Sequence, residues 1–251
     1  MLPVVASIRT SLYRDPVTAA PIVLWKMAPA WGSASASPFC TKLETWLRMA
    51  DLPHEARVLT GPPRSPNRKV PYVQLPDGRL LADTGPIIAT LTAEYGVTLD
   101  AELDAEQRAR TTFLTRLLED HFYWFLIWDR WAVASHWART KVTYFGALPV
   151  PLRWLVPIIA RRGVLRAMHG QGFGRMNDEA LLERARQDLD ALSQSLGERS
   201  FFIDEPSSID ATAHAFLSAA LRPPFDGPLQ RLVAEYPSLT AFCDRVDARW
   251  Y

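Results

Sequence analysis

Cysteine is scarce in this chain: Cys40 and Cys243 are the only two in 251 residues. Two thiols cannot build a disulfide framework, and they form no C-x-x-C pair, so a structural zinc site is not expected. A reducing compartment is the simplest reading, and a cytoplasmic location is expected. Excess charge of one sign is lacking too. Lys and Arg number 28 against 27 Asp and Glu, a formal net charge of +1. That balance implies no general attraction to nucleic acid. Long apolar runs are also missing. The nearest approach to a membrane span, ALPVPLRWLVPIIA at 147–160, carries three prolines and Arg153. The N-terminal MLPVVASIRTSLYRDP is interrupted by Arg9 and Arg14 and lacks the apolar core of a signal peptide. His121 and His136 match no metal-ligand spacing, so no metal is expected. These absences exclude a disulfide-stapled toxin, a polytopic membrane protein, a collagen and a disordered tail.

What is present is an ordinary globular balance, 48% apolar and 22% charged, in a chain long enough for one large domain or two small ones. Residues 1–20 show no period and read as an extension. Pro21–Met27 is a short β-rich run. Ser37-Pro38 then starts a helix, with Ser at the N-cap and Pro at the first helical position. Its stripe is Phe39, Leu43, Trp46 and Leu47. His54–Leu59 alternates weakly as a second strand. Residues 70–82 read as a hairpin around Pro76-Asp77-Gly78-Arg79. Asp83-Thr84-Gly85-Pro86 starts another helix, ended by Gly96. A βαβ unit followed by a hairpin and a helix is a thioredoxin-like α/β domain, here 21–96. After a linker at 97–104 the strand signal disappears, and 105–251 reads as an all-helical domain. Ala105–Ile127, Asn177–Leu196, Leu229–Tyr236 and Leu239–Trp250 are helical in period. Ser207 and Asp210 form a capping box before ATAHAFLSAAL and are assigned a structural role.

Charge is unevenly spread along the helical part. Asp129–Arg175 holds eight Lys/Arg and one Asp, a net of +7; Met176–Asp210 holds nine Asp/Glu and three Arg, a net of −6. Two solvated faces that pair with each other are the plain expectation. A basic surface for an anionic lipid or partner is the sharper one. The aromatic run HFYWFLIWDRWAVASHW (121–137) is expected in the core, with some rings lining an apolar pocket. Gly170–Arg175 has the wrong spacing for a nucleotide loop and reads as a helix connector.

Three local patterns can carry chemistry. Ser37-Pro38-Phe39-Cys40 puts a hydroxyl and a thiol at a helix N-terminus, where free N–H groups and the positive dipole end favour an anion. The plainer reading is an N-cap Ser and a buried, structural Cys40. Lys69-Val70-Pro71 places a proline at the start of the third strand, where a thioredoxin-like sheet typically has a cis bond that leaves the preceding backbone open to an extended peptide. An ordinary edge-strand proline is the alternative. Asp83-Thr84 opens the next helix and suits a ligand carrying an ammonium and a carboxylate, or simple capping.

Taken together, SPFCTKLETWLRMADLPHE, KVPYVQLPDGRLLADTGPIIATL and PSSIDATAHAFL resemble the cytosolic glutathione transferase superfamily. PLRWLVP, HGQGFGR and LRPPFDGPL point to its failed-axon-connections and metaxin branch. The resemblance covers about residues 21–251. It implies a thioredoxin-like domain that binds glutathione as co-substrate, and a helical domain that completes the second-substrate pocket. It places Ser37 as the thiol-activating catalytic residue. Val70 would pair with the cysteinyl backbone, Pro71 would be the cis proline, and Asp83 and Thr84 would hold the γ-glutamyl end. Lys69 would meet the glycyl carboxylate. The loop before the first helix is long, so Ser33 or Ser35 competes with Ser37.

The implied function is a glutathione-dependent transferase or lyase acting on a small-molecule electrophile, with a homodimer allowed. The alternative is a non-catalytic interaction or scaffold protein of failed-axon or metaxin type. A peripheral membrane enzyme using the basic segment near Pro149–Arg166 is a third, less favoured reading.

Overall fold

The computed structural model describes residues 20–251, so the expected extension lies outside the described residues except for its last position. Strand β1 (Ile22–Lys26) alternates buried and half-buried positions, and β2 (His54–Val58) runs parallel beside it. The crossover between them is α1 (Pro38–Met49). Strand β3 (Tyr72–Gln74) lies antiparallel to β1 on its other side, and β4 (Leu80–Ala82) antiparallel to β3. The order is therefore β2-β1-β3-β4, as a thioredoxin-like sheet requires. The hairpin turns at Gly78, whose φ of +90° needs glycine, while Asp77 accepts from the Arg79 N–H at 3.0 Å. The third strand is shorter than its sequence period suggests, because Lys69–Pro71 form a bent approach to it. Helix α2 (Thr84–Tyr95) ends as expected on left-handed Gly96.

The remainder of the chain is helical. A reciprocal cap starts α3 (Ala105–Arg116): Gln107 N–H donates to Asp104 at 2.8 Å, and Asp104 N–H to Gln107 at 3.0 Å. The single helix expected over 105–127 is interrupted by a π-helical turn at Leu117–Phe122, after which α4 (Tyr123–Ile127) completes it; a second π-helical turn follows at Trp128–Ala132. Each π turn rotates the face that follows. Phe122, Phe125, Trp128 and Trp131 consequently enter the core, while Tyr123 and Trp124 stay half-buried. Then follow α5 (Ala134–Phe145), α6 (Leu152–Gly170), a short turn at Phe173–Arg175, α7 (Asp178–Leu196), α8 (Ser208–Leu221), α9 (Pro228–Ala234) and α10 (Pro237–Trp250).

Helix α8 joins the two layers. It is rich in small residues and buried over nearly its whole length. Its Ala211 packs into the sheet core of Ile22, Leu24, Trp46, Val73 and Ile87, and its Phe216 into the helical core. Trp46 is fully buried and its indole N–H donates to Ser208 at 2.9 Å; burying that ring contributes about 2–3 kcal/mol.

One expectation fails. Among the described residues no ion pair links the basic segment 129–175 to the acidic segment 176–210. The acids are met from elsewhere, as His121 meets Asp188 at 2.6 Å, and Arg139, Arg153, Arg162 and Arg166 are exposed to solvent.

Candidate functional site

Helix α1 reads as amphipathic, yet the structure buries it on almost every side, because the sheet covers one face and α8 the other. Cys40 through Leu47 are all buried. Lys42 and Glu44 are therefore held away from water and must be paired. Glu44 takes Lys26 and, at 3.1 Å, Arg48. Lys42 reaches Glu119, on the first π-helical turn, at 2.5 Å, and also donates to the Thr84 hydroxyl at 3.3 Å. Neither Lys42 nor Glu119 was marked as functional in the sequence. Their spacing carries no local signal; only the lack of a solvent face on α1 explains the pair.

The loop from β1 to α1 is long but pinned. Arg130 donates to the Ala36 carbonyl at 2.8 Å and to the Ala219 carbonyl at 2.7 Å, and Tyr144 adds a bond to Ala36 at 3.1 Å. Of its three serines, Ser35 is buried and donates to the Met27 carbonyl at 3.1 Å. Ser33 is tied to Ala30 by a backbone bridge. Ser37 sits at the N-cap position, half-buried, with no side-chain cap bond. The next free donors are the Phe39 and Cys40 N–H groups, which take no partner among the described residues. This helix end thus presents a hydroxyl and the Phe39 amide to the cleft, while the Cys40 amide is enclosed with its residue. Cys40 behind it is fully buried, and burial pushes its thiol up, with Met27, Ser37 and Ser35 pulling more weakly the other way. A neutral, inaccessible thiol is no nucleophile.

Across a cleft from Ser37 runs the approach to β3. Ser65 and Asn67 both accept from the Lys69 N–H, at 2.9 and 3.0 Å, and Ser65 returns a bond to the Lys69 carbonyl at 2.7 Å. This knot presents Val70, and the Val70–Pro71 bond is cis. The Val70 N–H and C=O take no partner among the described residues. Beyond them, Asp83 has a φ of +64°, an unusual conformation for a residue with a side chain, and its carboxylate is steadied by the Asn67 amide at 2.9 Å. Thr84 follows, buried.

These groups surround two spaces of about 540 and 650 Å³ that share Phe39, Lys69, Val70 and Glu119 as lining. The first is walled by Lys42, Pro71, Asp83, Thr84 and Arg116. The second holds Ser37, Arg68, Tyr123 and Trp124. One end is polar and carries both signs of charge; the other adds aromatic walls. Burial raises the Tyr123 phenol above its ordinary pKa, which keeps it protonated. Among the described residues no three His, Cys, Asp or Glu side chains gather to hold a metal. Cys40, Ser207 and Asp210 lie outside both spaces.

Ser207 and Asp210 instead cap α8. The Asp210 carboxylate accepts from the Ser207 N–H at 2.8 Å, the Ser207 hydroxyl at 3.0 Å and the Phe202 N–H at 2.8 Å, and the Asp210 N–H bonds the Ser207 carbonyl at 3.0 Å. Burial still outweighs these bonds and pushes the carboxyl up to about 6.

Comparison with known proteins agrees with this geometry. Residues 38–137 match the model of the glutathione S-transferase N-terminal domain, and residues 185–246 that of the C-terminal domain. An isoprene-epoxide–glutathione S-transferase of Rhodococcus sp. is 33% identical over 90% of this chain and 97% of its own. Metaxin-1 of Sus scrofa is 28% identical over 91% of this chain and 74% of its own. Failed axon connections of Drosophila melanogaster is 29% identical over 73% of this chain and 46% of its own. Among solved structures, a glutathione transferase of Phanerochaete chrysosporium superposes with a TM-score of 0.65 at 13% identity, covering 93% of this chain and 99% of that one. With the sheet order, the buried α1 and the paired family matches in agreement, the chain belongs to the glutathione transferase superfamily, in its metaxin-like branch.

Proposed function

We propose that the chain is a glutathione-dependent transferase that activates the glutathione thiol at the N-terminus of α1 and delivers it to a small electrophile. The observation that carries this reading is the convergence of Ser37, the unpaired Val70 backbone and Asp83-Thr84 on adjoining spaces that share a wall. In this reading Val70 pairs with the cysteinyl amide of glutathione, and Pro71 shapes that edge. Asp83 meets the γ-glutamyl ammonium, and Thr84 its carboxylate. Lys69 faces the glycyl carboxylate.

The sulfur then lies at the helix end, where the Ser37 hydroxyl and the Phe39 N–H donate to it. These donors stabilise thiolate over thiol, so the proton leaves to solvent at neutral pH. The sulfur lone pair forms the new C–S bond as a bond to the leaving atom breaks. The name of the Rhodococcus relative makes an epoxide the first electrophile to try. Ring opening would leave an alkoxide that needs a proton, and Tyr123, protonated and on the wall beside Ser37, is placed to give it. A lyase acting through the same thiolate uses the same residues.

The test is turnover of glutathione with a panel of small epoxides. Ser37→Ala should keep the fold and lower turnover by about 10- to 1000-fold, the range for losing one donor to an anion. Full activity in Ser37→Ala with loss in Ser33→Ala or Ser35→Ala would move the activating role within the loop. The rival reading, a non-catalytic interaction protein like the metaxin relative, predicts no turnover in any of them.

A further inference from the structure

The most exposed apolar surface lies on the first turns of α6 and the loop before it, at the opposite end of that helix from Gln171, which lines the second space. Residues 149–155 are exposed or nearly so on every side, and the first α6 residue to be buried is Pro157. The helix therefore begins clear of the body of the protein. Its tip is apolar: Trp154 is 65% exposed, Leu155 55% and Ile159 59%, with Val150, Leu152 and Ile158 beside them. Six such side chains left in water cost more than any fold requires of them.

The charge of this segment is one-signed. From Arg130 to Asn177 the chain contains no Asp or Glu. Arg139, Lys141, Arg153, Arg162 and Arg166 are exposed, and none has an acidic partner among the described residues. At helical spacing Leu152, Leu155 and Ile159 share a line with Arg162 and Arg166, so one solvent face is apolar for its first turns and cationic for its last. No helix among the described residues is long and apolar enough to cross a bilayer.

We infer that α6 and its preceding loop dock the protein on an anionic lipid surface. The aliphatic and indole side chains enter the headgroup boundary, and the arginines pair with lipid phosphates around them. A second copy is a poor occupant, since a two-fold contact of this face sets arginine either against arginine or against the apolar tip. The surface is a protruding tip and not a groove, which favours a deformable layer over a folded acidic partner. This inference is independent of the glutathione reading.

The experiment is co-sedimentation of the full chain with phosphatidylglycerol vesicles and with phosphatidylcholine vesicles, at low and high salt. The chain should pellet with phosphatidylglycerol, much less with phosphatidylcholine, and be released by salt. Leu155→Ser/Ile159→Ser should melt like the parent, because both positions are exposed, and lower partitioning at least about tenfold. Arg162→Gln/Arg166→Gln should lower it about 30-fold and flatten the salt dependence. Parent protein left in the supernatant with both vesicles overturns the inference, as do variants that bind like the parent. Self-association of the parent that Leu155→Ser abolishes, without vesicle binding, overturns it too and makes the face a protein interface.

Discussion

At the residue scale, the cleft depends on a lysine that has nowhere else to go. Lys42 is buried at the wall of the first space, and its charge is met by Glu119 and the Thr84 hydroxyl. The pair ties α1, the start of α2 and the first π-helical turn into one polar wall. Removing one partner strands the other charge, whereas removing both does not. Lys42→Met should therefore cost about 2–4 kcal/mol in urea unfolding, less than a fully buried pair because Glu119 keeps some solvent. Lys42→Met/Glu119→Leu should regain at least half of that. Additive losses in the double variant would show that the two side chains act separately.

Ser37, Val70-Pro71 and Asp83-Thr84 were legible in the sequence because each announces itself through backbone chemistry. A serine before proline starts a helix, a proline after a loop opens a strand, and Asp-Thr-Gly-Pro starts the next helix. Lys42 and Glu119 were not legible, because a buried charge shows itself only through the partner that tertiary packing supplies.

At the scale of the element, α8 has the most to lose. Its first turn is buried against Phe202 and Ser207, so the amides there depend on the Asp210 carboxylate rather than on water. Asp210→Ala should orphan two buried amides and the Ser207 hydroxyl, and cost about 2–4 kcal/mol, or about 5–15 °C in Tm. The pH dependence has a definite sign. The carboxyl is held at about 6 in the folded chain, above its ordinary 3.8, so the folded state takes up a proton first. Its stabilising contribution is full below about 4 and is lost as pH rises through about 6. The gap in Tm between parent and Asp210→Ala should accordingly be wider at about pH 5 than at about pH 7. His214, which burial holds down to about 3, works in the opposite sense, but it is present in both proteins and cancels in the difference. A gap that narrows on acidification would mean that the bonds from Ser207 and Phe202 outweigh burial and hold the carboxyl below its ordinary value.

The capping box itself was readable from Ser-Ser-Ile-Asp before a small-residue helix. The π-helical turns were not. Each leaves the chain helical and leaves no mark in the apolar spacing that a sequence shows.

At the scale of the whole molecule, the fold order was legible because strand and helix periods separate cleanly near residue 96. The balance of surface charge was not. Composition suggested that the +7 and −6 segments would neutralise each other, yet α6 leaves Arg153, Arg162 and Arg166 in solvent and turns Arg161 onto the Trp131 carbonyl. Pairing between distant segments is decided by which faces the packed helices turn outward, and the linear count carries no trace of that.

The central claim is that the joined spaces between the sheet and the helices take glutathione. Isothermal titration of the intact chain with glutathione, at two temperatures so that a vanishing enthalpy is not mistaken for silence, tests it most directly. The account predicts one saturable site per chain, retained within a few-fold in Ser37→Ala and lost in Asp83→Ala/Thr84→Val, with each variant folded by circular dichroism. A folded parent that gives no binding at either temperature would contradict the account and leave the protein as a glutathione transferase fold put to another use.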